Sequence, residues 1–145
     1  MATLTVTHTE SLLLNGSQQG GTITKSITGI NEALKRMLTI TTNEAVIATM
    51  SGAVSSAGHF NDSAVRYMRF TNLDDTNFLT LTFTNSDNDE VAIKLDAGNS
   101  GGMVGMFNAT QDADSASDTA LGSITNIQAD AGASTVQIEM FVATT

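Results

Sequence analysis

The sequence predicts an all-β chain, folded as one antiparallel β-sandwich of jelly-roll-like form over residues 1–145. Three observations lead there. Segments in which apolar and polar side chains alternate recur at roughly ten-residue spacing, enough for nine or ten strands of a sandwich. Threonine occurs 22 times and proline not at all. Thr is β-branched and tolerates water, so it suits strand faces that are neither core nor strongly charged. Finally, Ala64 to Leu95 reads as a β-meander of three strands, AVRYMRFTN, NFLTLTFTN and EVAIKLDAG, joined by the acidic turns LDDT and SDND. Alternation of this kind is the period of a strand with one buried face.

The elements follow in chain order. Thr3 to Leu14 alternates Leu4, Val6, His8, Glu10 and Leu12 against Thr3, Thr5, Thr7, Thr9 and Ser11, a long strand with a threonine face. Asn15-Gly16 is a strong turn dipeptide because both residues accept positive φ, and the loop NGSQQGG is expected to exceed a two-residue hairpin. TITKSITGI is the return strand. In INEALKRMLTITTN a helix competes, since Leu34, Met37 and Leu38 have helical spacing, but Leu34, Arg36, Leu38 and Ile40 alternate as well. A strand over Leu34 to Thr42 is the reading taken. EAVIATM is a short buried strand, and SGAVSSAGHFNDS a loop. Beyond the meander come a glycine-rich bend, a short strand at Met103 to Phe107, a polar loop QDADSASDTALG, and two closing strands in SITNIQADAG and TVQIEMFVATT. In the last of these, Val136, Ile138, Met140 and Val142 share one face. The threonine-rich strand faces, with the chain's many small residues, suit burial against another subunit.

Six Lys and Arg stand against fifteen Asp and Glu, a formal net charge of −9, and no cation follows Lys94. Such a surface repels phosphate backbones and anionic lipid, so neither nucleic acid nor membrane is an expected partner. With no cysteine, disulfides, thiolate nucleophiles and Cys-ligated zinc are excluded. The start, MATLTVTHTESLLL, lacks the basic and apolar segments of a signal peptide, and the expectation is synthesis and retention in the cytosol of the producing cell.

Candidate chemistry is sparse. His8 and His59 are far apart in sequence, without metal-ligand spacing, and no GxSxG elbow places a serine beside a base. SDNDE at Ser86 to Glu90 and DADSASD at Asp112 to Asp118 have the DxD spacing that can seat calcium. An EF-hand begun at Asp112 fails, however, because Ala116, Ser117 and Ser123 occupy its positions 5, 6 and 12. Solvated acidic turns are the reading taken. Gly98, Gly101, Gly102 and Gly105 lack the Lys-Ser or Lys-Thr of a phosphate loop and suit a bend at a sheet corner. Arg66, Tyr67 and Arg69 form a basic and aromatic cluster suited to salt bridges within or between subunits. Asn15-Gly16-Ser17, Asn61-Asp62-Ser63 and Asn108-Ala109-Thr110 match the glycosylation sequon, which means little without a secretory signal. No catalytic, cofactor or metal residue is assigned, and a single Tyr with no Trp argues against a carbohydrate platform.

The order of elements resembles that of small β-rich virion proteins of tailed bacteriophages. The stretches that carry the resemblance are LLLNGS, ITGINEALKRMLTI, VRYMRFTNLDDTNFLTLTF, DEVAIKLDAG, and IQADAG with VQIEMFVATT. It implies a non-enzymatic capsid decoration or cement protein, made in the host cytoplasm and placed on the outer capsid surface of the virion. The major capsid protein would be its partner, and self-association as a homotrimer is implied. The alternative is a tail, fibre or baseplate component with a receptor contact, and behind it a cytosolic carbohydrate-binding module or an unrecognised enzyme.

Overall fold

The computed structural model describes residues 1–98, the backbone of a strand at 103–107, and residues 124–145. The chain is all-β. An N-terminal ribbon pairs β1 (Ala2–Thr9) with β4 (Thr22–Ile30), and its far end is the small hairpin β2 (Leu13–Leu14) and β3 (Ser17–Gln18). The body follows: β5 (Glu32–Ile40), β6 (Ala45–Met50), β7 (His59–Phe60), β8 (Val65–Asn72), β9 (Leu79–Asn85), β10 (Glu90–Leu95), β11 (Met103–Phe107), β12 (Ile124–Ala131) and β13 (Val136–Thr144).

The body strands form two sheets, β11-β8-β13-β5 and β10-β9-β12-β6-β7. Leaving aside the two-residue β7, the antiparallel pairs are nested: β5 with β13, β6 with β12, β8 with β11, β9 with β10. The first strand thus meets the last, the second meets the one before it, and so inward, as in a long hairpin rolled up on itself.

The alternating residues of both sheets meet in one core. Met68 and Phe70 of β8, Leu79, Leu81 and Phe83 of β9, Ile127 and Ala129 of β12, and Val136, Ile138, Met140 and Val142 of β13 are all buried. Phe70 and Phe83 touch edge to face across the sandwich, their ring centroids 6.5 Å apart. Each large side chain removed from water in this way contributes about 1.5–3 kcal/mol. The face of β13 foreseen from its alternation is the central wall of this core.

Six sequence expectations need correction. The strand read from Thr3 to Leu14 ends at Thr9, and Leu13–Leu14 is a separate short strand at the ribbon's far end. EAVIATM, read as a buried strand, buries only Ala48 outright and leaves Ala45 and Val46 exposed, because β6 has only the two-residue β7 beyond it at the sheet edge. The segments from Ala64 to Leu95 are not a meander: β8 belongs to the four-stranded sheet and β9 and β10 to the other. Alternation shows that a strand has one buried face, but it does not distinguish a neighbour in the same sheet from one facing it across the core. The connection 73–78 carries the chain from one sheet to the other, and of these three strands only β9 and β10 form a hairpin. At Asn15-Gly16 the loop is a two-residue turn after all, with φ of 52° and 78°, because Leu13–Leu14 and Ser17–Gln18 pair directly across it. The strand expected at Leu34 to Thr42 begins two residues earlier and ends at Ile40, held along its length by β13. The stretch read as a loop from Ser51 to Ser63 contains β7, which pairs in parallel with the end of β6. The bend at 99–102, the polar loop QDADSASDTALG, and Asp112 to Asp118 lie outside the described residues.

Candidate functional site

Three surfaces hold what this fold offers to a partner: the N-terminal ribbon, the outer face of the four-stranded sheet where the ribbon is rooted, and the open seam between β5 and β6.

Cross-strand register sorts the ribbon into two faces. Thr3, Thr5, Thr7 and Thr9 stand opposite Thr28, Ser26, Thr24 and Thr22, while Leu4, Val6 and His8 stand opposite Ile27, Lys25 and Ile23. Hydroxyls meet across the first face, Thr7 with Thr24 at 3.4 Å and Thr9 with Thr22 at 3.3 Å. At the root, Leu4, Val6 and Ile27 pack with Ile30, Tyr67, Phe141 and Ala143, a second cluster on the outside of the four-stranded sheet. Gly29, with φ of 80°, supplies the extra residue of the bulge that sets the ribbon on this face.

Beyond the root the ribbon is an arm. Residues 7–26 are exposed apart from a half-buried Gly20. At the tip Leu12, Leu13 and Leu14 are 54, 72 and 54% exposed, and Ile23 is 72% exposed. An isolated two-stranded ribbon is marginal in water, and the apolar side chains grouped at its tip form an exposed hydrophobic patch. The arm is also nearly uncharged. Residues 1–31 carry one cation, Lys25, and one carboxylate, Glu10, so the net −9 falls entirely on residues 32–145. His8 Nε2 lies 3.4 Å from Glu10 Oε1, both exposed.

The outer sheet face beside the arm root carries a small charge network. Glu139 of β13 accepts from Lys35 of β5 at 2.7 Å and from Arg69 of β8. The hydrogen bond from Lys35, with the nearby positive charge of both partners, holds the Glu139 carboxyl below the usual glutamate range. Arg69 also stacks over the Phe141 ring, which meets Tyr67 edge-on. Burial raises the Tyr67 phenol above its ordinary value, against the pull of Arg69. Arg69 and Tyr67 therefore serve the protein's own sheet, while Arg66 donates to the Ser63 carbonyl at 2.8 Å.

At the seam, β5 is the edge strand of one sheet and faces β6 and β7 of the other. Two cavities adjoin along it. One, of about 670 Å³, is lined by Arg36, Leu38, Ile40, Val46, Ala48 and Asn126 among others; the next, of about 750 Å³, by Leu34, Val54, Phe60 and Val142. His59 lines both, its Nδ1 3.1 Å from Ser55 Oγ. Arg36 projects inward from β5, opposite the core residue Met140. It makes no ion pair among the described residues, and the first cavity has no carboxylate in its lining.

The acidic turns are internal fixtures. Asp74 accepts from the Thr76 and Asn77 amides at 2.8 and 2.6 Å, which lowers its pKa, the Asn77 bond foremost. In SDNDE, Asn85 accepts from the Asp87 and Asp89 amides at 2.9 and 2.8 Å. His8 and His59 are placed on the arm and in the seam, each with its own neighbour, and no group of three or more His, Asp or Glu side chains converges among the described residues. Sequence reasoning missed Asn72 and Asn85, both buried, and Arg36. The Asn positions had a legible signal, an Asn closing a strand just before an acidic turn.

In class, then, the molecule is a β-sandwich that projects an apolar-tipped arm. No protein-family model matches the chain, and no curated protein matches it. Among the described residues, no helix is long and apolar enough to cross a membrane.

Proposed function

We propose that this chain is a non-enzymatic structural subunit of a bacteriophage particle, a decoration or cement protein on the outer capsid surface that associates with itself and with the major capsid protein. The observation that carries the reading is the arm: residues 7–26 form an exposed ribbon whose apolar tip packs on no part of the sandwich among the described residues. Such an element has its use in assembly. The nested strand pairing also supports the reading, because rolling a long hairpin into two facing sheets is the winding of a jelly roll, an architecture recurrent in viral shells. The acidic body suits a surface turned away from packaged DNA.

The test is quantitative mass spectrometry and antibody labelling of purified particles. A cement protein occurs in hundreds of copies over the lattice, because reinforcement acts at every repeated junction. A few copies confined to the tail would replace this reading with a tail or fibre part, and absence from particles would end the virion assignment.

A further inference from the structure

We propose that the arm of one copy docks in the seam of a second copy, with Leu12 to Leu14 on the apolar floor beside β5 and the Glu10 carboxylate on the Arg36 guanidinium. The inference rests on the self-association part of the reading above and is independent of the virion part.

The two surfaces are complementary in four respects. Charge is the first. Arg36 is a half-buried cation with no ion-pair partner among the described residues, in a cavity without a carboxylate, and Glu10 is the sole carboxylate of the arm. Polarity is the second. Leu38, Ile40 and Ala48 form a floor that suits the exposed leucines, which lie two to four residues beyond Glu10. Spacing is the third. Glu10 to Leu14 and Arg36 to Ile40 both span four residues; the second is about 13 Å of strand, and the first reaches as far when extended, so the carboxylate and the leucines reach the cation and the floor together. The fourth is backbone. β5 pairs with β13 on one side only, and on its other edge the outward-directed peptide groups of alternate residues have no strand partner among the described residues, a template for a further strand.

Charge distribution selects a second copy of this chain as the occupant. Two bodies, each bearing the full −9, repel, whereas the neutral arm approaches an acidic body without that cost and brings its carboxylate to one of the few cations there. The contact is head-to-tail, since arm and seam are different surfaces, so repetition generates a ring when the rotation closes.

The experiment is a charge exchange read by light scattering and sedimentation on the full chain. The wild type is expected to be oligomeric. Glu10→Arg and Arg36→Glu should each weaken association by at least about tenfold, as loss of one partner from a desolvated charge pair does, and the double variant should recover it. Leu13→Ser should also weaken association. Thermal unfolding of each variant establishes that the body is folded. If Arg36→Glu itself fails to fold, Glu10→Arg and Leu13→Ser decide, because they alter only exposed arm positions. A monomeric wild type, single variants that associate like the wild type, or a double variant without recovery would each overturn the proposal. A chain that assembles this way but is missing from particles loses the virion reading and keeps this one. A monomer found in many copies on capsids does the reverse.

Discussion

Asn72 ties two loops to the end of β8 from a fully buried position. Its side-chain amide donates to the carbonyls of Asn77, Leu95 and Asp96 at 2.9, 3.2 and 3.1 Å, and its oxygen accepts from the Asp74 amide at 2.9 Å. Truncation leaves four backbone groups short of a partner, each buried one costing about 1–3 kcal/mol. Asn72→Ala is therefore expected to destabilise the fold by about 2–4 kcal/mol, seen as a lower urea midpoint at unchanged slope. A loss below about 0.5 kcal/mol, the range of ordinary surface substitutions, would contradict this account. Glu139 gives a pH signature. Its folded pKa lies below the ordinary 4.5, so its contribution is present above that value and is lost as pH falls through the folded one. Glu139→Gln should flatten the stability profile below about pH 4.5 relative to wild type, because an amide keeps the shape and cannot titrate. Parallel profiles for the two proteins would remove Glu139 from the acid response.

At the scale of elements, the arm is separable from the body. Its turn requires positive φ at Asn15 and Gly16, and a β-branched residue at the Gly16 position is strained whatever space surrounds it. Gly16→Val should therefore lower hydrogen-exchange protection of the Glu10 and Gln19 amides, which bond across the ribbon to Gly21 and Leu12. The melting temperature of the isolated subunit should hardly move, since residues 7–26 are exposed apart from Gly20 and pack on no part of the sandwich among the described residues. A fall of several degrees would mean that the arm belongs to the cooperative unit. Strands were legible wherever alternation continued over six or more residues, as in β1, β9 and β13, because a half-buried strand leaves that period in its side chains. Pairing was not. β8 and β9 alternate as neighbours would, yet they face each other across the core, and only the six-residue connection and the buried Asn72 that precedes it distinguish the two arrangements. The seam was equally hidden, since Arg36 and Leu38, which share a face of β5, join Asn126 and His59 only after the sheets have stacked, and nothing local in the chain marks those two as their neighbours.

For the whole molecule, the separation of a neutral arm from an acidic body decides how assembly responds to salt. Two terms act in opposite directions. Screening weakens any attraction between Glu10 and Arg36, though least for a pair withdrawn from solvent, and it also weakens the repulsion between bodies that carry −9 each. The repulsion is the longer-ranged of the two and involves many exposed charges, so it responds more strongly as the Debye length contracts from about 10 Å at 0.1 M to about 3 Å at 1 M. The leucine contact is not electrostatic and persists throughout. Raising NaCl from about 0.1 to about 0.5 M should therefore leave self-association unchanged or tighter, as should retention on any acidic lattice held by the same apolar surfaces. Dissociation over that range, followed by light scattering at fixed protein concentration, would show that exposed ion pairs hold the assembly and that the arm's apolar tip does not.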